Sequence, residues 1–235
     1  MKTLTVHGFP LVAPLASPSP FCLKLETWLR LAKVPYEARA DFSPLRSPNG
    51  KAPYVTLEDG TVVGDSEAII ERLSARPEVS LDAGDTDALR SERTLVRRVL
   101  EDHLYFIVLH ERWVEPAGFA ILKPAYFASF PALARLFVPL MARRSARKAC
   151  HLQGVSRYDQ SARCAQANAD LAAIDHVLAG RDYFGGAAPN STDATVYAFM
   201  ANLLWGPFPG WLQDAAAARP ALVAHATRVR DAFWV

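Results

Sequence analysis

The sequence predicts an α/β chain in two parts: a first third of alternating short strands and helices, then a remainder that is helical throughout. Three observations predict this. Residues 3–76 follow the order strand–helix–strand, hairpin, helix. Composition then shifts, from Pro77 to Asp87, to an acidic, Gly-containing linker. Beyond it comes a long amphipathic segment and nearly continuous helical patterning, with no internal repeat or low-complexity tract. The division expected is residues 1–76, a linker at 77–87, and residues 88–235.

Thr3 to His7 alternates around Leu4 and Val6 as a half-buried strand does. A proline-rich loop leads to a helix from Pro20 to about Lys33, with Phe21, Leu25, Trp28, Leu29 and Ala32 on one stripe. Tyr36 to Ala40 is a second strand. Tyr54 to Leu57 and Thr61 to Val63 form a hairpin across Glu58-Asp59-Gly60. Asp65 and Ser66 then cap a helix reaching about Arg76. The helical remainder divides into Asp87–Val114, Pro131–Ala149, Ser156–Ala179, Ser191–Trp205, Trp211–Arg219 and Ala221–Phe233. Pro220 falls where a first-turn proline is tolerated.

With 51% hydrophobic and 21% charged residues, the chain has material for a substantial core. A formal net charge of +2 argues against a dedicated nucleic-acid binder. Cys22, Cys150 and Cys164 are too few and too scattered for a disulfide framework, so reduced thiols in the cytoplasm are expected. Gly8 and Pro10 interrupt what would otherwise resemble a signal-peptide core. No stretch approaches the roughly 18 apolar residues of a membrane span. Phe130 to Met141 is apolar but short, and is expected to be a buried or groove-lining helix. His103 and His110 lie seven residues apart on one helical face, but with no third ligand in view they suit surface or packing roles better than metal binding.

Three local motifs carry possible chemistry. In Ser17-Pro18-Ser19-Pro20-Phe21-Cys22, Ser19 suits an N-cap and Pro20 the first helical position. The free N–H groups and partial positive charge of such a terminus favour an anion, including a thiolate, and Cys22 in the first turn is a candidate for a lowered pKa. Equally, Ser19 is only a cap and Cys22 a buried filler. Lys51-Ala52-Pro53 opens a strand with a proline, an ordinary device unless the bond is cis. Asp65-Ser66 is either a cap or a carboxylate and hydroxyl placed to hold an amino-acid-like zwitterion. A fourth motif, Asn190-Ser191-Thr192-Asp193, is a capping box with a structural role.

Taken together, these motifs, their order, the linker and the helices resemble the glutathione S-transferase superfamily over essentially the whole chain. The run SPFCLKLETWLRLAKVPYE is similar in particular to the branch containing metaxins and failed-axon-connection-like proteins. The resemblance implies a thioredoxin-like α/β N-terminal domain that binds glutathione and an all-α C-terminal helical domain. It implies Ser19 as the thiol-activating residue, with Cys22 nearby. Pro53 would be a cis-proline, with the Ala52 backbone pairing with the cysteinyl part of glutathione. Lys51 would approach the glycyl carboxylate, and Asp65 and Ser66 would hold the γ-glutamyl end. Asp65 is one methylene shorter than the family's usual Glu or Gln.

The resemblance thus implies an enzyme that ionises the thiol of its co-substrate glutathione for attack on an apolar electrophile, without a metal. The pocket for that electrophile is expected between the domains, with Tyr105, Trp113 and Trp205 as candidate lining or as plain core aromatics. The family also implies a homodimer in which the helix beginning near Glu67 faces the partner's long helix, around Arg90, Arg93, Arg97 and Arg98. Two alternatives stay open: a non-catalytic adaptor with a transferase fold, and a thiol transferase or dehalogenase-type enzyme that uses Cys22.

Overall fold

The computed structural model describes residues 3–128 and 130–234. Four short strands form one sheet in the order β2-β1-β3-β4. β1 (Leu4–His7) runs parallel to β2 (Tyr36–Arg39) and antiparallel to β3 (Tyr54–Thr56), which forms a hairpin with β4 (Val62–Gly64). The crossover between β1 and β2 is α1 (Pro20–Leu31), and α2 (Ser66–Ser74) follows the hairpin. This is the thioredoxin-like arrangement. Leu25, Trp28 and Leu29 of α1 and Ile69 and Leu73 of α2 close one core with Leu4, Val6 and Val55 of the sheet.

From Thr86 onward every element is helical. α3 (Asp87–Arg98) and α4 (Tyr105–Leu109) are continued by two π-helical segments, Val99–Leu104 and His110–Val114. They occupy the span expected to be one long helix, and π segments of this kind are frequent at functional sites. α5 (Pro116–Phe127) was not expected. Pro116 at its first position is a start signal, but Pro124 inside it masks the helical pattern. α6 (Ala132–Gln153) ends at Gly154, whose φ of 109° supplies a left-handed C-terminus. α7 (Gln160–Leu178) starts later than expected because the Asp159 side chain caps it, receiving the Ala162 N–H at 2.8 Å.

α8 (Ser191–Leu204) is the axis of the larger core. Its residues from Ser191 to Leu203 are all buried, and the predicted capping box closes its N-terminus. The Trp28 indole of α1 donates to Ser191 Oγ at 2.7 Å, joining the strand-bearing part to the helices. α9 (Trp211–Ala217) and α10 (Pro220–Phe233) complete the chain.

A second tie is ionic. Lys24 on α1 is 1% exposed and donates to Glu67 of α2 at 2.6 Å and to Glu101 of the first π segment at 2.7 Å. Arg97 joins the same two carboxylates. The other arginines of the face expected to meet a partner subunit also form ion pairs within the chain. Arg93 pairs with Asp82 and Asp85, Arg90 with Asp87, and Arg98 with Asp102.

The apolar stretch from Phe130 to Met141 is neither buried nor groove-lining. Val138 packs inward beside Phe119 and Phe127, and Pro139 is buried, while most of the large apolar side chains face outward. Among the described residues no helix is long and apolar enough to cross a membrane.

Glu26, on the inner part of α1, gives the fold a pH dependence. Burial pushes its carboxyl up to about 7, against the pull of Arg30 and the Tyr36 hydroxyl. A carboxyl raised in the folded state supports folding below its unfolded pKa, and that support is lost as pH rises through the folded value. Glu26→Gln is therefore expected to stabilise the protein by about 1–3 kcal/mol at pH 8 and to be close to neutral near pH 4. Urea unfolding at the two pH values checks this, and equal effects at both would refute it.

Candidate functional site

The site is built at one end of the sheet. β1 ends at His7, and the chain passes through Gly8 and a loop to the N-terminus of α1. In the hairpin, Tyr54 faces both His7 of β1 and Gly64 of β4. One step further along this register sets Pro53 between Gly8 and Asp65. The N-termini of α1 and α2 thus open at the same edge of the sheet, on either side of the start of β3. Both present free N–H groups and partial positive charge to a ligand lying there.

At α1, Ser19 is in extended conformation and its hydroxyl accepts the Cys22 N–H at 3.4 Å. Ser17 Oγ accepts the Ser19 N–H at 3.3 Å. Ser19 is half-buried, whereas Cys22 is fully buried. The hydroxyls of Ser19 and Ser17 and the Phe9 N–H face the Cys22 thiol, but burial outweighs them and pushes it up to about 12. The lowered pKa expected from the helix terminus is thereby corrected. Desolvation in the core is the largest influence on the Cys22 thiol, and it favours the neutral form. A side chain at Gly8 would meet Cys22 Sγ at 3.4 Å, so the β1 loop lies directly on this thiol.

At the hairpin, the Ala52–Pro53 peptide is cis, as is Ala13–Pro14. Ser47 and Asn49 fasten the loop ahead of it by accepting the Lys51 N–H, and the Lys51 side chain is exposed. The same loop leans on β4, where a Cβ at Gly64 would come within 3.1 Å of Pro48 and 3.3 Å of Asn49. Asp65 has a φ of 76°, a left-handed conformation unusual for a residue with a side chain. Strain of this kind gathers at ligand sites. Asp65 Oδ1 accepts the Glu67 and Ala68 N–H groups, at 2.9 and 3.2 Å, and Ser66 beside it is buried.

Helices of the second part wall the α1 side. Tyr105 meets Phe21 edge-on at 4.9 Å, directly beside the Ser19–Cys22 turn. Burial pushes its hydroxyl up to about 12. Trp113 packs against Phe119, Tyr126 and Phe127. The Trp205 ring lies by Tyr197 and under the Arg230 guanidinium, 4.5 Å away. Tyr105 and Trp205 both pack on the large helical core, and Trp113 on the smaller cluster of Phe119, Leu122 and Phe127.

Two residues of this wall were not anticipated. Tyr126 on α5 donates its hydroxyl to the Pro18 carbonyl at 3.3 Å, immediately before Ser19. Beside it lies Arg112, buried, donating to Asn202 at 2.9 and 3.2 Å and resting over Phe208 at 4.4 Å. Burial raises the Tyr126 hydroxyl and depresses the Arg112 guanidinium, while each partner acts in the opposite sense. Tyr126 gave no signal because its helix gave none. Arg112 adjoins Trp113, which is the signal available for it.

Two surface clefts, of about 520 and 620 Å³, lie at the other end of the sheet. One is lined by Glu26, Arg30 and Tyr36, the other by Glu58, Arg72 and Arg76. Of the two histidines, His103 pairs with Asp170 at 2.6 Å. His110 lies within 3.7 Å of Glu111 and Glu115, whose carboxylates are already bridged by Arg163 at 2.9 and 3.0 Å.

Comparison with known proteins agrees with this architecture. Residues 20–118 match the glutathione S-transferase N-terminal domain, and residues 167–229 the glutathione S-transferase C-terminal domain, together more than half of the chain. The chain is 27% identical to an isoprene-epoxide–glutathione S-transferase of Rhodococcus sp. (strain AD45), covering 98% of this chain and 99% of that one. It is 28% identical to Failed axon connections of Drosophila melanogaster over 96% of its own length but only 57% of the relative's. It is 25% identical to mouse metaxin-1, over 90% of this chain and 69% of that one. Among solved structures, a glutathione transferase of Phanerochaete chrysosporium shares the fold with a TM-score of 0.68 at 14% identity, covering 97% of this chain and 96% of that one. Sheet order, paired helix termini, both domain matches and these relatives together assign the chain to the glutathione S-transferase superfamily.

Proposed function

We propose that the protein is a glutathione transferase in which Ser19 activates the thiol. The observation that carries the proposal is the opening of two helix N-termini, α1 at Ser19 and α2 at Asp65-Ser66, on either side of Pro53 at one sheet edge. Glutathione is an extended zwitterion with carboxylates at both ends, and this edge offers it complementary charge. In this reading Lys51 takes the glycyl carboxylate, and Asp65 with Ser66 holds the γ-glutamyl group.

A free thiol has a pKa of about 8.5, so at neutral pH only a small fraction is ionised. A hydrogen bond from the Ser19 hydroxyl, together with the α1 terminus, favours the thiolate. Each unit by which that pKa falls corresponds to about 1.4 kcal/mol. The electrophile then enters beside Tyr105, Trp113 and Tyr126. An epoxide, the substrate class in the Rhodococcus relative's name, suits these groups. The thiolate sulfur bonds to a ring carbon, the C–O bond breaks, and the alkoxide takes a proton from Tyr126, which solvent replaces. Arg112 stabilises the negative charge that develops during this transfer.

The proposal includes a break between the glutathione-binding domain and the helical domain at residues 77–87, and a cytoplasmic homodimer in which the helix beginning near Glu67 faces the partner's long helix around Arg90, Arg93, Arg97 and Arg98. Calorimetric titration with glutathione is the test. One site per chain is expected, with a Kd of about 1 µM to 1 mM. Lys51→Ala and Ser66→Ala should each weaken it about tenfold, the effect of losing one hydrogen bond to a charged group. No binding by the folded parent would overturn the proposal and leave a transferase-fold adaptor.

A further inference from the structure

Helix α6 carries a face that no other element covers among the described residues. Leu133, Leu136, Phe137, Leu140 and Met141 are between 56% and 76% exposed. Their spacing of i, i+3, i+4, i+7 and i+8 gathers them into one stripe along the helix. The opposite face is held down by Val138 and Pro139 and by Arg143, which donates to the Trp113 and Val114 carbonyls at 2.9 Å each. The stripe is therefore fixed in place on a packed helix.

The charge around it is one-sided. Residues 116–158 contain seven lysines and arginines and no aspartate or glutamate, in a chain of net charge +2. Three of these cations extend the stripe. Arg144 and Arg147 lie four and seven residues beyond Leu140, and Lys148 lies seven beyond Met141, so all three continue the same face, and all three are exposed. The carboxylates that bound the segment are occupied: Glu115 pairs with Arg163, and Asp159 caps α7.

We propose that α6 docks the protein on an anionic lipid surface. The helix lies in the plane of the interface with its apolar stripe at the acyl boundary, and Arg144, Arg147 and Lys148 rest on the headgroups. A second copy fits this face poorly, because it brings seven more cations and no carboxylate from the same segment. A nucleic acid would satisfy the cations but leave five large apolar side chains in water.

The test is flotation with vesicles. Phosphatidylcholine vesicles containing about 30% phosphatidylserine are expected to carry the protein at least tenfold better than pure phosphatidylcholine. Phe137→Asp with Leu140→Asp should abolish flotation, and Arg144→Glu with Lys148→Glu should weaken it about tenfold at moderate salt. All four positions are exposed, so circular dichroism and Tm should match the parent. Flotation that is absent in the folded parent, or unchanged by the aspartate pair, would overturn the proposal. So would a parent dimer, seen by light scattering, that the aspartate pair splits without any vesicle binding.

Discussion

Ser19→Ala is expected to reduce glutathione-conjugating activity at least tenfold, a loss of about 1.4 kcal/mol in transition-state stabilisation. About 1 kcal/mol of stability should be lost as well, because the Cys22 N–H loses its cap. Cys22→Ala should keep most of the activity and cost about 1 kcal/mol in packing. The asymmetry follows from position. The Ser19 hydroxyl stands outside the first turn and is half-buried, while the Cys22 thiol is sealed beneath it with a pKa pushed up to about 12. Steady-state rates with both variants and an epoxide co-substrate decide the matter. An inactive Cys22→Ala beside an active Ser19→Ala would make the protein a cysteine-type thiol transferase.

Lys24→Met should be the most damaging single change to stability, at about 3–5 kcal/mol, the usual consequence of removing one partner from a buried ion group. It leaves Glu67 and Glu101 facing each other with only Arg97 between them. The loss should also depend on pH. Burial already holds the Glu101 carboxyl above its ordinary range, and Lys24 is the main influence opposing that rise. Without Lys24 the folded pKa climbs further. Folding support from a raised carboxyl is present below the unfolded pKa and disappears as pH rises through the folded one. The deficit should thus be greatest at pH 7–8 and shrink towards pH 4, and Glu101→Gln should partly repair it at neutral pH. Urea titrations of the single and double variants provide the measurement. A pH-independent deficit below about 1 kcal/mol would refute this account.

What was legible in the sequence was local. Ser19 with Pro20, Asp65 with Ser66, and Asn190 with Asp193 announce helix starts through groups only a few residues apart, and each cap is present. The order of strands and helices came from the same short-range signals. Contacts across the fold were not legible. Lys24 meets Glu67 and Glu101 from 43 and 77 residues away, and Tyr126 meets Pro18 from 108. For Cys22 the helix terminus was visible but the burial that outweighs it was not. For α6 the apolar content was visible, yet composition does not say whether anything covers a helix. Tyr105, Trp113 and Trp205 look alike by residue type, and only contacts across the fold show that Trp113 packs in a different cluster from the other two.

The burial of α8 on every side has a consequence for how the chain tolerates change over generations. A helix with one wet face accepts substitutions at every third or fourth position, which lets its sequence drift while the fold persists. From Ser191 to Leu203 α8 has no such face, and Asp193 alone receives the Phe184 and Asn190 N–H groups and His225. Each position there is bounded in volume and polarity by neighbours that are themselves enclosed. Drift in α8 therefore needs compensating changes at two or more sites at once, so this segment should tolerate single substitutions poorly.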